Sequence, residues 1–295
     1  MSLARLLTAS FLAASLACAS APKPGAAVAA SASEPAREPC DVRVMTFNIQ
    51  SALRGLDGVA EAIRSASPDV VALQEVDVGS TRAHGLNQVA ELAARTGLRY
   101  HAHFRTTELH GGAYGVALLS RFPIVSQEQH ALPVPKGSEP RTLGHVVLDV
   151  GGREVSVYAT HLSRRPFNGR ARMSQSVAIL QRMERDARPK LLMGDLNDDP
   201  GSRTVRLLGR ELTDAFASTG QGPSGTYPMP LFLPTLRIDY VLVDRAFAPR
   251  ASRVLRVGAS DHFPVVADLH LKALPGEAQA HASHEARAAV AGSAN

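Results

Sequence analysis

The sequence predicts an α/β domain in which mixed β-sheets are covered by helices. Strand and helix patterns alternate early in the chain and hairpin patterns follow in its middle, a mixture typical of that class. The chain has 295 residues, of which 45% are hydrophobic and 20% charged, enough for one large core or at most two small ones. Trp is absent and aromatic residues make up only 5%, so we expect an aliphatic core without aromatic platforms that stack single-stranded nucleic acid.

Two strands and two helices are predicted in alternation before residue 100. Apolar side chains spaced three and four residues apart indicate the helices, and Pro68 and Gly97 mark the helix ends. The predicted order is a strand at 42–49, a helix that begins at Leu56, a strand at 69–76 and a helix at 86–96.

The middle and the end of the domain contribute further strands and the longest predicted helix. Gly151-Gly152 between two apolar runs is a two-residue hairpin signal. The predicted strands lie at 113–119, 143–150, 154–162, 190–193, 238–243 and 265–271, and the long helix lies at 170–188.

The first 18 residues resemble a signal peptide. Arg5 precedes an apolar run at 6–17, which is too short to span a bilayer as a helix. The run ends in Ser-Leu-Ala before Cys18, which resembles the bacterial lipoprotein cleavage box. The alternative is ordinary secretion with cleavage near Ala19 or Ala21. Both predict export, either as a periplasmic or outer-membrane lipoprotein that meets the membrane surface through a lipid anchor, or as a secreted protein.

The remaining chain divides into three parts. Residues 19–39 are rich in Ala, Ser, Pro and Gly and predict a flexible linker, 40–272 form the folded domain, and 273–295 predict a disordered tail that includes scattered histidines such as His281.

The two cysteines, Cys18 and Cys40, provide no disulfide framework for the domain. The formal net charge is +5, which suits an anionic substrate but is far from that of a surface that coats nucleic acid.

Polar side chains stand beside apolar runs at several predicted strand ends. Uncompensated carboxylates and amides are costly at buried strand ends, so we expect these residues to converge on one site. Acids, amides and histidines together suit a hard divalent cation and a general base acting on a phosphate ester. The residues are Asn48, Glu75, His161, Asp195, Asn197 and Asp239, followed by the motif Ser260-Asp261-His262-Phe263-Pro264-Val265.

Six motifs in one order resemble the endonuclease/exonuclease/phosphatase superfamily. They are Thr46-Phe47-Asn48-Ile49, Leu73-Gln74-Glu75-Val76, Thr160-His161-Leu162, Gly194-Asp195-Leu196-Asn197, Arg237-Ile238-Asp239-Tyr240 and Ser260-Asp261-His262. The resemblance covers about residues 41–271. It implies two packed mixed sheets with outer helices, a four-layer sandwich, and a metal-dependent phosphoric ester hydrolase.

The resemblance also implies roles for the metal-side and phosphate-side residues. Glu75 is the main ligand of Mg²⁺, or of Mn²⁺, and Asn48 lies beside it. His161 contacts the scissile phosphate. Asp195 positions or activates the attacking water, and Asn197 holds that water or a phosphate oxygen; a spacing of two places both on one face of a strict strand.

His262 is the predicted general base, because an imidazole titrates near neutral pH. By resemblance, Asp239 fixes its tautomer. Asp261 then remains as a second metal-side carboxylate, and whether one or two ions bind is left open. Tyr114 is predicted either to donate to phosphate or to pack in the core, and Arg141 is a candidate phosphate clamp.

Two further segments bear on the substrate. Arginines after His161 form either a solvated loop or a phosphate-facing rim: Arg164, Arg165, Arg170 and Arg172. Residues 227–234 form an apolar, Pro-rich stretch, which is either a substrate-facing loop or a rigid lid, and no long basic insertion that would grip duplex DNA is present. We therefore predict a phosphodiesterase for a lipid head group or small phosphoester. The alternatives are an exported nuclease, with nucleic acid as substrate, and a catalytically silent binding module. The oligomeric state is left open.

Overall fold

The computed structural model describes residues 41–164, 168–229 and 234–273. The predicted signal peptide and linker lie outside these residues, as do Cys40, Arg165, part of the Pro-rich stretch and the tail beyond residue 273. The described residues all belong to one compact unit. Of the helices in the described ranges, none combines the length and the hydropathy that a bilayer crossing requires.

The described residues form thirteen strands and five α-helices. The helices are α1 (Leu56–Ala66), α2 (Gln88–Thr96), α3 (Gly169–Glu184), α4 (Arg203–Leu208) and α5 (Ala215–Thr219), and a 3-10 turn covers Gln50–Ala52. The strands are β1 (Asp41–Asn48), β2 (Val70–Val78), β3 (Tyr100–Leu109), β4 (Gly112–Ser120), β5 (Ile124–Leu132), β6 (Arg141–Val150), β7 (Arg153–His161), β8 (Lys190–Asp195), β9 (Thr213–Asp214), β10 (Gly220–Gln221), β11 (Asp239–Val243), β12 (Phe247–Val254) and β13 (Val265–Leu271).

These strands form two mixed sheets. One has seven strands in the order β10-β12-β13-β1-β2-β4-β3, and the other has six in the order β5-β6-β7-β8-β11-β9. Near its centre each sheet contains a parallel pair, β1 with β2 and β7 with β8, between antiparallel neighbours. The seven-stranded sheet has a further parallel pair, β10 with β12, at one edge. The carboxyl ends of each parallel pair meet at one edge of its sheet, and the polar strand ends lie there.

Three apolar clusters hold the layers together. The largest contains side chains from both sheets, such as Val44 and Val157, and packs the sheets face to face. A second joins β1 and β2 to α1 and α2, and a third joins β7 and β8 to α3 and α4. Strands β1 and β8 are buried on both faces because each sheet is covered on both sides. The predicted four-layer sandwich is confirmed.

Several element boundaries differ from the predictions for local reasons. Helix α2 begins at Gln88 because the Asn87 side chain caps it, accepting from the backbone N–H groups of Val89 and Ala90 at 3.1 and 3.2 Å. Helix α3 ends at Glu184, four residues before its predicted end. His270 lies in β13, within the predicted strand, and its Nδ1 lies 2.8 Å from Asp41 Oδ1.

Candidate active site

Asn48 and Glu75 reach the site from the parallel strands β1 and β2. Asn48 is the last residue of β1 and pairs in register with Gln74. Glu75 lies in a bulge, where the β2–β4 register shifts between Leu73 and Val76, and its φ is +57°. A left-handed backbone is uncommon outside glycine and costs free energy. The bulge turns a carboxylate into the cleft from a strand that is otherwise largely buried.

The second sheet contributes three residues in one row. Asp195 ends β8, directly opposite His161 on β7 and directly opposite Asp239 on β11. Gly194 allows this approach: a Cβ there would lie 2.0 Å from the backbone oxygen of Thr160, and its φ is +153°. Only glycine fits between the two strands at that point.

One amide connects the two sheets. The Asn48 side chain donates to Glu75 Oε1 at 3.2 Å and to Asp195 Oδ2 at 3.1 Å. Its own oxygen accepts from the backbone N–H of Gln50 at 3.1 Å. Asn48 therefore sets the spacing between a carboxylate of each sheet, a role that its position in sequence does not reveal.

The Ser260-Asp261-His262 loop is tied to the end of β1. Ser260 Oγ donates to the backbone oxygen of Asn48 at 2.7 Å and accepts from the backbone N–H of His262 at 3.2 Å. The Gln50 side chain donates to Asp261 Oδ2 at 2.9 Å. Sequence analysis missed Gln50, because a glutamine in a short turn carries no local signal of a partner more than two hundred residues away.

His262 and Asp239 form a buried pair. His262 Nδ1 lies 2.9 Å from Asp239 Oδ2, and its Nε2 lies 3.8 Å from Asp195 Oδ2. Thr226 Oγ1 accepts from the backbone N–H groups of Ile238 and Asp239, which fixes the start of β11. The pair therefore leaves Nε2 facing the cleft.

Burial and proximity shift the pKa values of three of these groups. Burial, and then the nearby charge of Asp239, raise the pKa of Asp195 to about 7. Burial alone would lower the pKa of His262, but the charge and hydrogen bond of Asp239 outweigh it and raise this pKa to about 10. Burial, and then Arg141 and His262, hold the pKa of His161 well below its ordinary value, so that this ring is neutral.

The site suits a hard divalent cation. Glu75, Asp195 and Asp261 all line one cleft and offer carboxylate oxygens, the donors that Mg²⁺ and Mn²⁺ prefer. Donor atoms of Asp195, Asp239 and His262 also lie within 4.8 Å of one another. The short contact to Asp239 already occupies Nδ1 of His262, however, so we place the fit at the oxygen-rich side, around Glu75. His161 Nε2 and Asp239 Oδ1 are buried without a hydrogen-bond partner among the described residues. This is expected of groups whose partner is a ligand of the site.

Tyr114 and Arg141 lie beside the cleft and are absent from the described residues that line it. Arg141 is buried, donates to Glu139 Oε1 at 2.7 Å and lines a neighbouring pocket of about 110 Å³ together with Arg164. Tyr114 is buried on β4, and burial raises its pKa, with Glu75 as the next contributor. Both lie close enough to the site to interact with it electrostatically.

Asn197 lines the cleft, but it does so from a turn and not from the strand that we predicted. Strand β8 ends at Asp195, so the one-face spacing of a strand does not apply. Asn197 instead lies in a turn with φ +51°; its backbone N–H donates to Asp195 Oδ1 at 2.8 Å and its side chain donates to the backbone oxygen of Leu162 at 3.1 Å. Asn197 thus lines the cleft and also holds Asp195 in place.

The arginines after His161 were predicted to form either a solvated loop or a phosphate-facing rim, and the described ones divide between the loop and the cleft. Arg164 is exposed and lines the cleft. Arg172 is buried and donates to Asp198 Oδ2 at 2.9 Å and to the backbone oxygen of Ser163, so it stabilises the loop. Arg170 is exposed on α3, and Arg165 lies outside the described residues.

Apolar side chains form one wall of the cleft, whose volume is about 650 Å³. Tyr227, Met229, Leu236 and Ile238 line it, and the ring of Tyr227 lies 4.8 Å from that of His262 at an interplanar angle of 51°. The start of the Pro-rich stretch, at Tyr227 and Met229, therefore borders the site, while residues 230–233 lie outside the described residues.

Comparison with known proteins points to one family. The model of the endonuclease/exonuclease/phosphatase family matches residues 45–262. The uncharacterized protein YbhP of Escherichia coli strain K12 is 29% identical over 248 residues, which cover 78% of this chain and 96% of YbhP. A crystal structure of an endonuclease/exonuclease/phosphatase from Beutenbergia cavernae shares 32% identity at a TM-score of 0.65, covering 80% of this chain and 73% of that one. The fold also matches a Bacteroides thetaiotaomicron mannosyl-6-phosphatase, at 19% identity and a TM-score of 0.62, covering 77% of this chain and 99% of that one.

Proposed function

This chain belongs to the endonuclease/exonuclease/phosphatase family, and we propose that it hydrolyses a phosphoester with the help of a divalent cation, Mg²⁺ or Mn²⁺, and of water activated by His262. The observation that carries this proposal is the 2.9 Å contact between His262 and Asp239, with the free Nε2 facing a cleft that also contains Glu75. A binding module without activity would have no need for such a buried pair.

In this mechanism, His262 Nε2 takes a proton from the attacking water. Asp239 accepts the hydrogen bond from Nδ1–H, which holds the tautomer whose Nε2 carries the lone pair. The neutral ring of His161 and the guanidinium of Arg164, which both line the cleft, contact phosphate oxygens in this mechanism. Glu75, Asn48 and Asp261 would hold the divalent cation, which would supply positive charge that polarises the phosphate.

The protonation state of His262 sets a condition on this mechanism. A general base must be neutral, whereas the carboxylates around His262 raise its pKa to about 10 in the protein alone. Positive charge in the cleft offsets the charge of those carboxylates and lowers that pKa. We therefore expect activity to rise with pH along a limb that lies below pH 10 when the cation is present.

For the substrate we infer a lipid head group or another small phosphoester. The support is the composition of the cleft, where Tyr227, Met229 and Leu236 form an apolar wall and Arg164 offers a cation. A wall of this kind suits an anionic group attached to an apolar body, whereas duplex DNA demands many phosphate contacts.

A substrate screen tests both parts of the proposal. Purified protein is incubated with Mg²⁺ or Mn²⁺ and sphingomyelin, phosphoinositides, bis-p-nitrophenyl phosphate, plasmid DNA or RNA. We expect turnover of a lipid or of the small diester, loss of that turnover in excess EDTA, and its return when the cation is added back. Full activity of the chelated, metal-free protein contradicts the cation requirement, and faster cleavage of DNA or RNA contradicts the substrate class.

A further inference from the structure

Two histidines and a glutamate form a second cluster on the outer face of the six-stranded sheet. Glu128 and His130 lie two apart on β5, and His145 lies directly opposite Glu128 on β6. One donor atom from each of these side chains lies within 4.8 Å of the others. We call Glu128, His130 and His145 the β5–β6 cluster.

The surroundings of His145 fix its tautomer. Its ring is 6% exposed and stacks on Tyr158, with centroids 4.2 Å apart and planes 7° apart. Although burial raises the pKa of Asp186, hydrogen bonds, first from Ser156, lower it to about 2, so Asp186 is an ionised acceptor. The Ser156 hydroxyl hydrogen therefore points to Asp186, and its oxygen accepts from His145 Nε2 at 3.1 Å. The lone pair of this imidazole must then lie on Nδ1.

Among the described residues, His145 Nδ1 has no hydrogen-bond partner. His145 Nδ1 and His130 Nε2 are both buried atoms without a hydrogen-bond partner among the described residues. His130 Nε2 lies 3.3 Å from Glu128 Oε2 without forming an aligned hydrogen bond. Burial lowers the pKa of both histidines, so both rings are neutral at pH 7 and carry a free lone pair. An orphaned buried lone pair is costly unless something occupies it.

We propose that the β5–β6 cluster binds a transition-metal ion of the Zn²⁺ class through His145, His130 and Glu128. Two imidazoles and a carboxylate form a known ligand set for Zn²⁺, with water in the remaining position. Imidazole nitrogen favours such an ion over Mg²⁺. Ser156 and Asp186 take the part of the outer hydrogen-bond partners that orient a ligating histidine.

The ion would tie an edge strand to its neighbour. Strand β5 ends the six-stranded sheet and pairs only with β6 among the described strands. Arg182 on α3 now contacts Glu128, so the ion and Arg182 compete for the same carboxylate. The Glu128 side chain is 50% exposed and that of His130 is 26% exposed, so the ion can exchange with solvent.

The test measures Zn²⁺ binding to the full-length protein. The variant His130→Asn removes one ligand at a half-buried position, and Glu128→Gln removes another, so neither disturbs the packed ring of His145. His101→Asn, an exposed histidine on β3 in the other sheet, is the matched control. Isothermal titration gives stoichiometry and affinity, circular dichroism verifies folding, and the His145 ring ¹⁵N resonances locate the ion.

We expect wild type and His101→Asn to bind one Zn²⁺ that moves the Nδ1 resonance of His145. In His130→Asn and Glu128→Gln the affinity of this site should fall at least about tenfold. The same ion should remain in Glu75→Gln, which separates it from any ion in the catalytic cleft. Undiminished stoichiometry and affinity in His130→Asn, or a His145 Nδ1 resonance that Zn²⁺ leaves unmoved, would overturn the proposal.

Discussion

Replacing Asp239 with Asn removes the charge that faces His262 and preserves the size of the side chain. Asp239 Oδ2 lies 2.9 Å from His262 Nδ1, and both side chains are buried. In the variant the amide can turn its NH₂ group toward Nδ1, which moves the ring proton to Nε2. That tautomer cannot accept a proton from water, so we expect the rate to fall by about 10² to 10⁴.

The same change lowers the pKa of His262. Asp239 is the main contributor that raises this pKa from 6.5 to about 10 against the effect of burial. At about 1.4 kcal/mol per pKa unit, the shift corresponds to on the order of 5 kcal/mol in favour of the imidazolium form. We therefore expect the pKa to fall by about two units or more in Asp239→Asn.

The raised pKa also links stability to pH. Because the folded pKa lies above the ordinary 6.5, the stabilisation from charged His262 is complete below pH 6.5 and is lost as pH rises toward 10. In metal-free protein, wild type should therefore lose free energy of unfolding relative to Asp239→Asn across that range. Denaturant titrations in EDTA at pH 6 and pH 10 measure this difference.

Proton NMR of the His262 ring and the pH–rate profile measure the other two effects. Asp41→Asn is the matched control. Asp41 Oδ1 lies 2.8 Å from His270 Nδ1, and this pair is outside the cleft, so the rate of the variant should equal that of wild type. A rate in Asp239→Asn within threefold of wild type, together with a His262 pKa that stays near 10, refutes the orienting role of Asp239.

Three further outcomes are expected. Glu75→Gln should weaken Mg²⁺ binding and raise the Mg²⁺ concentration needed for half-maximal rate by about tenfold or more; an unchanged requirement places the ion elsewhere. Gly194→Ala should lower the free energy of unfolding by about 2 to 4 kcal/mol, because the added Cβ would lie 2.0 Å from the Thr160 oxygen in a left-handed backbone. The control Gly169→Ala, which has open space around the added Cβ, should not lower it. Equal stability of the two variants in denaturant contradicts the close approach of β7 and β8. Cys18→Ala should move the protein from the membrane fraction to the soluble fraction with the domain still folded, and recovery of soluble wild type cleaved after Ala19 or Ala21 supports plain secretion instead.

The central strands and the polar residues at their ends were accessible to sequence analysis. Strands β1, β2, β7 and β8 are buried on both faces over most of their length, so their apolar runs are visible without any partner, and β1, β7 and β8 each end in a polar residue. The positions of Asn48, His161 and Asp195 follow from these strands, because each is the final residue of its strand.

Strands that lie toward the edges were missed. Strand β5 has the sequence IVSQEQHAL and is largely exposed, so no apolar run marks it. Strands β3 and β12 also carry polar residues on the face turned away from the core. Their place in a sheet is set by long-range pairing with β4 and β13, which a single sequence does not display.

The contacts that assemble the site were also beyond the sequence. The bulge that places Glu75, the turn that holds Asn197, and the packing of Tyr227 on His262 each depend on neighbours distant in the chain. Arg172 is a further case: its position left open a solvated loop or a phosphate-facing rim, and its pairing with Asp198 makes it part of the loop.

The rate of His262→Ala on whichever phosphoester the screen identifies is the most direct test of catalysis in this cleft. We expect that rate to be lower than that of wild type by about two to three orders of magnitude, the usual scale for loss of a general base, with the fold retained. His270→Ala, which changes a histidine outside the cleft, should remain near wild type. A wild-type rate for His262→Ala, combined with an inactive His161→Ala, would contradict the assignment of His262 as the base.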